Sequence, residues 1–528
     1  MHFVSERRDH RLVAVGSALI ALAFVAAFAF AARAQAAETL YWNNYSGNPD
    51  SIGFANPDGT GGGALDLTGV ELDDPEGMAV DPVAGRLYIA ALSNGPENEG
   101  QIIYANLSGG GGGVFTAPGA PVDSPEGLTI DPATRMIYWI NTGENESIAW
   151  AKLDGSAGGT LNLTGATFES PYRLAIDPQA GRLYFGSEVG SGAEAHVVLS
   201  YVNVNNSGGG NVNTSGATGE SSINGIAVDP AHGRVYWLNE ETEGLSYANL
   251  DNSGGGDIDV GVVPWDNPFG LSLDPGNGKA LWSNYGNGEE RAGVFGTANY
   301  LPGGGGGSID VATAPVAGPQ DPQLLKSPTG TSAPAVTRDA SHPATLACST
   351  GSWAPDYPGS FVYQAPQSYG YQWALNGVAI TGATSSTFTA SAPGSYTCTV
   401  TGTNVTGSAS QTSGTAATVN AASVKLTVKP KKAKAKAGKT AKFKVQALNQ
   451  GDLQTKNAKL CVKVPKKAKQ ALKAPKCKKL GVVGALTKKT TKLKLKVKPT
   501  ATAGSYKVTL QVKGSAGKAV KATVKVIG

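Results

Sequence analysis

The heptapeptide P-E-G-M-A-V-D at 75–81 restricts the fold of this chain more than any other feature, because four further copies follow it at a near-constant interval. They read P-E-G-L-T-I-D (125–131), P-Y-R-L-A-I-D (171–177), I-N-G-I-A-V-D (223–229) and P-F-G-L-S-L-D (268–274). Their last residues, Asp81, Asp131, Asp177, Asp229 and Asp274, are 50, 46, 52 and 45 positions apart, and each is followed by Pro. A period in this range means one supersecondary unit stacked side by side several times.

The rest of the unit is equally regular. A turn after each Asp-Pro leads to an aromatic strand such as G-R-L-Y-I (85–89) or G-R-V-Y-W (233–237). A third strand such as I-I-Y-A-N-L (102–107) and a short fourth such as T-L-N-L (160–163) complete it. Four strands per repeat describe a propeller blade. With 71 Gly and 16% charged residues, short apolar runs broken by turn residues predict an all-β chain. An additional aromatic strand, L-Y-W at 40–42, lacks a preceding Asp-Pro strand. The segment Q-D-P-Q-L-L at 320–325 is the expected partner that closes a sixth blade and removes the open sheet edges. Without that pairing the ring has five blades.

The recurring P-x-G-[apolar]-[small]-[apolar]-D-P, G-R-[apolar]-Y-W and A-N-L-D-x-S-G-G resemble the YWTD-type six-bladed propeller of the low-density-lipoprotein receptor family, over roughly 38–311. The chain departs from that family at the end of the motif: Asn44, Ala91, Asn141, Ser187, Asn239 and Asn284 stand where the family has Asp. The resemblance implies the blade architecture but not the inter-blade role of those aspartates.

Three other segments flank the propeller. Residues 1–36 carry Arg7, Arg8 and Arg11, an apolar run from Leu12 to Ala32, and A-Q-A at 34–36, the order of a cleaved secretory signal. An uncleaved membrane anchor is the alternative. Either way the expected location is secreted or cell-surface. The expected domains are the propeller at 38–328, a second domain at 329–420 and a third at 421–528. In the second, Cys348, Trp373, Tyr396 and Cys398 are spaced as in the immunoglobulin fold, and that resemblance implies a Cys348–Cys398 disulfide across two sheets. In the third, Lys alternates strictly with apolar residues, the pattern of half-buried strands. It resembles the adhesion-type Ig-like domains of bacterial surface proteins, with Cys461 and Cys477 tying its central loop. Four cysteines, two per downstream segment, fit an oxidising compartment.

Charge divides the chain. Residues 421–528 hold 30 Lys and a single acid, Asp452, whereas residues 1–420 hold 14 Lys and Arg against 39 Asp and Glu. In the propeller the acids gather on one face. Asp73, Asp123, Glu169 and Asp266 lie in the loops leading into each inner strand, Glu76 and Glu126 follow the motif proline, and further acids such as Asp50, Glu97, Glu144, Glu240 and Glu289 lie between strands two and three. Taken singly, an Asp before Ser-Pro or Asn-Pro is a turn former. As a set, like charges at a channel mouth favour a cation or a basic partner. Bound Ca²⁺ is compatible with so many carboxylates, although no EF-hand loop occurs. The five Asp of the Asp-Pro turns are expected to be structural. No nucleophile motif, zinc motif or phosphate loop occurs.

These features predict a binding or adhesion protein without a catalytic set. It would present the acidic propeller face to a protein or polysaccharide ligand, and its basic domain would be attracted to an anionic envelope polymer or to a propeller's acidic face. Sparse aromatics among the lysines argue against specific nucleic-acid binding. The alternative is an extracellular propeller hydrolase or lyase acting on carbohydrate through the mouth carboxylates.

Overall fold

The computed structural model describes residues 38–46, 49–92, 99–191, 195–218, 222–239, 242–263, 265–286, 295–301, 304–309, 311 and 314–528. The expected signal, and the acids Glu97, Glu240, Glu241, Glu289 and Glu290, lie outside these residues. Among the described residues no helix is long and apolar enough to cross a membrane.

Six four-stranded antiparallel blades form the propeller. The repeat motif supplies the inner strand in five of them, for example Pro75–Asp81, Pro125–Asp131 and Pro171–Asp177. The sixth inner strand, Pro319–Lys326, pairs antiparallel with Glu38–Asn44, with Leu40 opposite Leu324, and joins the two ends of the ring. Strand-two aromatics fill the seams between blades: Trp42, Trp139, Trp237 and Trp282 are at most 1% exposed.

The Asn residues that end the aromatic strands of two blades have a defined task. Asn141 Oδ1 accepts from Trp139 Nε1 and from the Asp123 backbone N–H, both at 3.1 Å, while its Nδ2 donates to Pro121 O at 3.2 Å and Ser147 Oγ at 3.0 Å. Asn44 repeats this with Trp42, Ala317, Pro315 and Ser51. An ionised Asp could accept but not donate, and would leave the Pro121 and Pro315 carbonyls without this partner.

At the opposite end of the inner strands the Asp-Pro carboxylates cap their own turns. Asp81 Oδ1 accepts from Val83 N at 3.1 Å and Ala84 N at 3.2 Å, and Asp131, Asp177 and Asp229 do the same. Several also join elements remote in sequence. Asp81 pairs with Arg135, Asp229 accepts from Tyr300 Oη at 2.7 Å, and Asp274 holds Lys326 Nζ at 2.8 Å.

The immunoglobulin-like domain does not stand apart from the propeller. Its segment 356–363 enters the propeller from the Asp-Pro end. Val362–Tyr363 runs parallel to Leu324–Leu325 as an added strand on the axial edge of the closing blade. A 3-10 turn at Pro358–Ser360 is wholly buried: Ser360 Oγ donates to Val228 O at 2.6 Å, and Ser272 Oγ donates back to Ser360 O at 3.0 Å. Gly359 is required there, since a Cβ would run into the Ile176 carbonyl oxygen. Phe361 follows in a left-handed conformation, φ 56°, and sends its ring up the axis.

The body of that domain has Cys348–Cys398 bridging its sheets, Trp373 fully buried, and Tyr396 Oη donating to Ala392 O at 2.7 Å. Its strand Gly394–Asn404 spans the domain. Asn404 bonds Lys326 O on the propeller, while Gly394–Tyr396 pairs with Ala417–Val419 beside the Lys-rich domain. The eleven-residue strand sets its two ends roughly 33 Å apart. Asp452, the one acid of the Lys-rich domain, is bound at this joint by Arg338 at 2.6 Å and by Asn420 N and Nδ2. The Lys-rich domain is a sandwich of a four-stranded and a five-stranded sheet, with Cys461–Cys477 paired. It lies beyond the far end of the Ig-like domain, which itself joins the Asp-Pro face. Among the described residues it therefore leaves the acidic face of its own propeller uncovered.

Candidate site at the open mouth of the channel

The third position of each motif sets the width of the channel. Four of the six are glycines, Gly77, Gly127, Gly225 and Gly270, and their backbones nearly touch: a Cβ on Gly77 would lie 2.9 Å from Leu128 N, and one on Gly127 2.9 Å from Arg173 Cα. The other two positions are Arg173 and Asp321, both left-handed with φ 56° and 44°. Non-glycine residues hold that conformation at a cost, and here it turns both side chains onto the axis. Below them Met78, Leu128, Leu174, Ile226, Leu271 and Gln323 meet Phe361 around a cavity of about 20 Å³. The channel is therefore a cup, open only on the acidic face.

Arg173 is the centre of that cup, with its side chain only 7% exposed. Its Nη1 donates to Glu76 O at 2.8 Å and lies 3.7 Å from Asp321 Oδ2, while Nη2 is 3.8 Å from Glu76 Oε2. The guanidinium stacks 3.8 Å above the Phe269 ring. Glu126 is close enough to feel the same charge, and it accepts from Thr142 Oγ1 at 3.3 Å. Three carboxylates thus share one cation. Burial pushes Glu76 up to about 7 and Asp321 up to about 6, with Arg173 opposing both shifts and neighbouring carboxylates adding to that of Glu76. Glu126 is raised for the same first reason. Tyr45, Tyr172, Phe269 and Tyr285, all partly exposed, lie around the mouth, with Tyr285 5.9 Å from Tyr45 and 6.0 Å from Phe269 between ring centroids.

A second acidic group borders this cup. Asp50, Asp73 and Asp74 have carboxylate oxygens within 4.8 Å of one another, and among the described residues they are the one group able to hold a metal ion jointly. Asp50 also accepts from Asp74 N at 2.9 Å, and burial raises it to about 6. Three hard oxygen donors suit part of a Ca²⁺ shell, with further ligands needed to complete it.

The predicted site residues divide accordingly. Glu76 and Glu126 reach the axis, and Asp73 joins Asp50 and Asp74. Asp123 turns to the loop between strands two and three of its own blade, where its carboxylate accepts from Asn145 N at 3.2 Å, and the Asp266 backbone N–H donates to Asn284 Oδ1 at 3.4 Å. Glu169 is exposed outside either group. Arg173 and Asp321 were missed as site residues. Their signal was the departure of P-Y-R and P-Q-D from P-x-G at the one position where the ring otherwise demands glycine.

One consequence is a stability that falls as pH rises. The Glu76 carboxyl is raised from its ordinary 4.5 to about 7, so its contribution is fully present below 4.5 and is lost as pH rises through 7. The loss amounts to about 3 kcal/mol. Glu76→Gln, permanently neutral, should flatten urea-measured stability over that interval and exceed the wild type at pH 8. A variant curve parallel to the wild type would contradict this.

No family model matches the sequence, and no curated protein matches it. Among solved structures, the chain is similar to one in a nidogen/laminin complex, at 16% identity over 54% of this chain and 98% of that one, with a TM-score of 0.42. It is also similar to a gluconolactonase of Xanthomonas campestris, at 14% identity over 59% and 92% with a TM-score of 0.36. A periplasmic gluconolactonase of Pseudomonas aeruginosa matches at 12% identity over 54% and 98%, with a TM-score of 0.37.

Proposed function

We propose that this protein is an exported binding protein that takes a polysaccharide at the acidic mouth of its propeller, while its basic domain faces an anionic surface. The observation that carries this reading is the one-ended cup, with Glu76, Glu126 and Asp321 around Arg173 and four partly exposed aromatic rings beside them. Sugar rings stack their C–H faces on aromatic side chains, and their hydroxyls donate to carboxylates. The separation of the two charged ends, with the Ig-like domain rigidly seated between them, suits a protein that links two surfaces. The two disulfides fit an extracellular or periplasmic setting.

A second reading, hydrolysis of an extracellular carbohydrate, is favoured by one observation: Glu76 holds its proton up to about 7, where a general acid works best. Both readings meet in one experiment. The full chain is titrated with a panel of neutral and acidic polysaccharides, with reducing ends assayed in parallel. Binding weakened about tenfold or more by the Glu76→Gln/Glu126→Gln pair, without release of sugar, is the expected result. Turnover abolished by the same pair selects hydrolysis. Polysaccharide binding unchanged in that variant removes the mouth as the site.

A further inference from the structure

The lysines of the C-terminal domain lie on both of its sheets, and on one of them they line a groove. On the sheet built from Val424–Lys429, Thr440–Asn449, Lys488–Val497 and Leu472–Lys473 they face one another directly. Lys442 is opposite Lys494, Lys444 is opposite Lys492, and Lys429 extends the second row to a third strand. The other sheet also opposes lysines, Lys459 with Lys513 and Lys479 and Lys434 with Lys525, although between Gly504–Lys513 and Val520–Ile527 Lys507 faces Thr523 and Lys521 faces Thr509. Like charges directly across an antiparallel pair destabilise it, and the only acid in the domain, Asp452, is already bound to Arg338 and Asn420 at the domain joint. Lys429, Lys442, Lys444, Lys492 and Lys494 are exposed, and with Thr490 and Thr491 they line a groove of about 670 Å³.

We infer that this groove binds an unbranched phosphodiester polymer that carries no bases. The inference rests on the proposal that the basic domain faces an anionic surface, and it names the sheet and the chemistry. Neighbouring lysine rows are about 6.8 Å apart along a strand and about 4.8 Å apart across strands, so an extended chain laid along the groove meets a cation at each step. Lysine binds phosphate as a compact point charge, without the rigid fork by which arginine reads carboxylate or phosphate bidentately, so a repeating row of lysines suits a repeating row of phosphates. Residues 421–528 contain 30 Lys and no Arg. The one aromatic residue lining the groove, Phe443, is 2% exposed, so there is no platform on which bases could stack. Concavity favours a strand of polymer over a flat bilayer.

The test uses the full chain with linear poly(glycerol phosphate), polygalacturonate, single-stranded oligo-dT and anionic phospholipid vesicles at two salt concentrations. One variant carries Lys442→Gln, Lys444→Gln, Lys492→Gln and Lys494→Gln. A control carries Lys459→Gln, Lys507→Gln, Lys513→Gln and Lys521→Gln on the other sheet. Poly(glycerol phosphate) should bind best. The groove variant should lose about tenfold or more and flatten the dependence of log K on log salt by about 3, while the control changes little. Equal losses in both variants would overturn the groove and leave the electrostatic reading intact, as would preference for polygalacturonate, DNA or vesicles overturn the assigned chemistry. Failure of the wild type to bind any of the four removes both.

Discussion

Phe361→Ala should destabilise the protein by about 3 to 5 kcal/mol and split its unfolding into two transitions. Phe361 belongs to the Ig-like domain in sequence, but its ring is 7% exposed and is packed among Ile226 and Leu271 of the propeller. Removing it enlarges the axial cavity and takes away one of the large apolar contacts of the inserted segment. The Ser360 hydrogen bonds to Val228 and from Ser272 would then hold the turn with Val362 and Tyr363, beside Leu324–Leu325, as its remaining large buried apolar side chains. Urea unfolding followed by intrinsic fluorescence and by near-ultraviolet dichroism would show one coincident transition in the wild type and separated ones in the variant. A cost under about 1 kcal/mol would mean that the two domains are held elsewhere.

How much of this could be read from the chain depends on whether a feature is written locally. The blades are legible because each repeats the same strand periods and the same Asp-Pro stop. The closing strand was legible from Gln320 to Leu325 because an unpaired aromatic strand at 40–42 required a partner. The inserted turn at 356–363 was not, since Pro-Asp-Tyr-Pro-Gly-Ser reads as an ordinary loop and its burial depends on a channel built by residues far away in sequence. The acidic face could be foreseen, but not which acids point inward. Motif position placed Asp73, Asp123, Glu169 and Asp266 alike, and the hydrogen bonds of the individual loops then separated them. Strict alternation exposed the lysines, whereas the facing of Lys442 by Lys494 depends on strand register, which alternation does not supply.

Arg173→Met should cost about 3 to 5 kcal/mol at pH 8 and much less at pH 5. Met keeps an unbranched apolar stem beside Phe269 but removes the one cation from among Glu76, Glu126 and Asp321. In the wild type, Glu76 and Asp321 are already raised to about 7 and about 6 by burial, against the pull of Arg173. Each contributes stability that is present below its ordinary carboxylate value and lost as pH rises through the folded value. Without Arg173 the folded values rise further, so the loss continues to higher pH and becomes larger. At pH 5 Glu76 and Asp321 are largely protonated in both proteins, and what remains is chiefly the lost cation–π contact and the hydrogen bond to Glu76 O. Unfolding measured at both pH values, for Arg173→Met and for Arg173→Met with Glu76→Gln, separates charge from packing. The second substitution should recover part of the pH 8 loss, because it removes one of the carboxylates left unpaired. Equal destabilisation at pH 5 and pH 8 would reduce Arg173 to a packing role. The strained left-handed conformations of Arg173 and Asp321, in a ring that is otherwise glycine, would then have to be explained by shape alone.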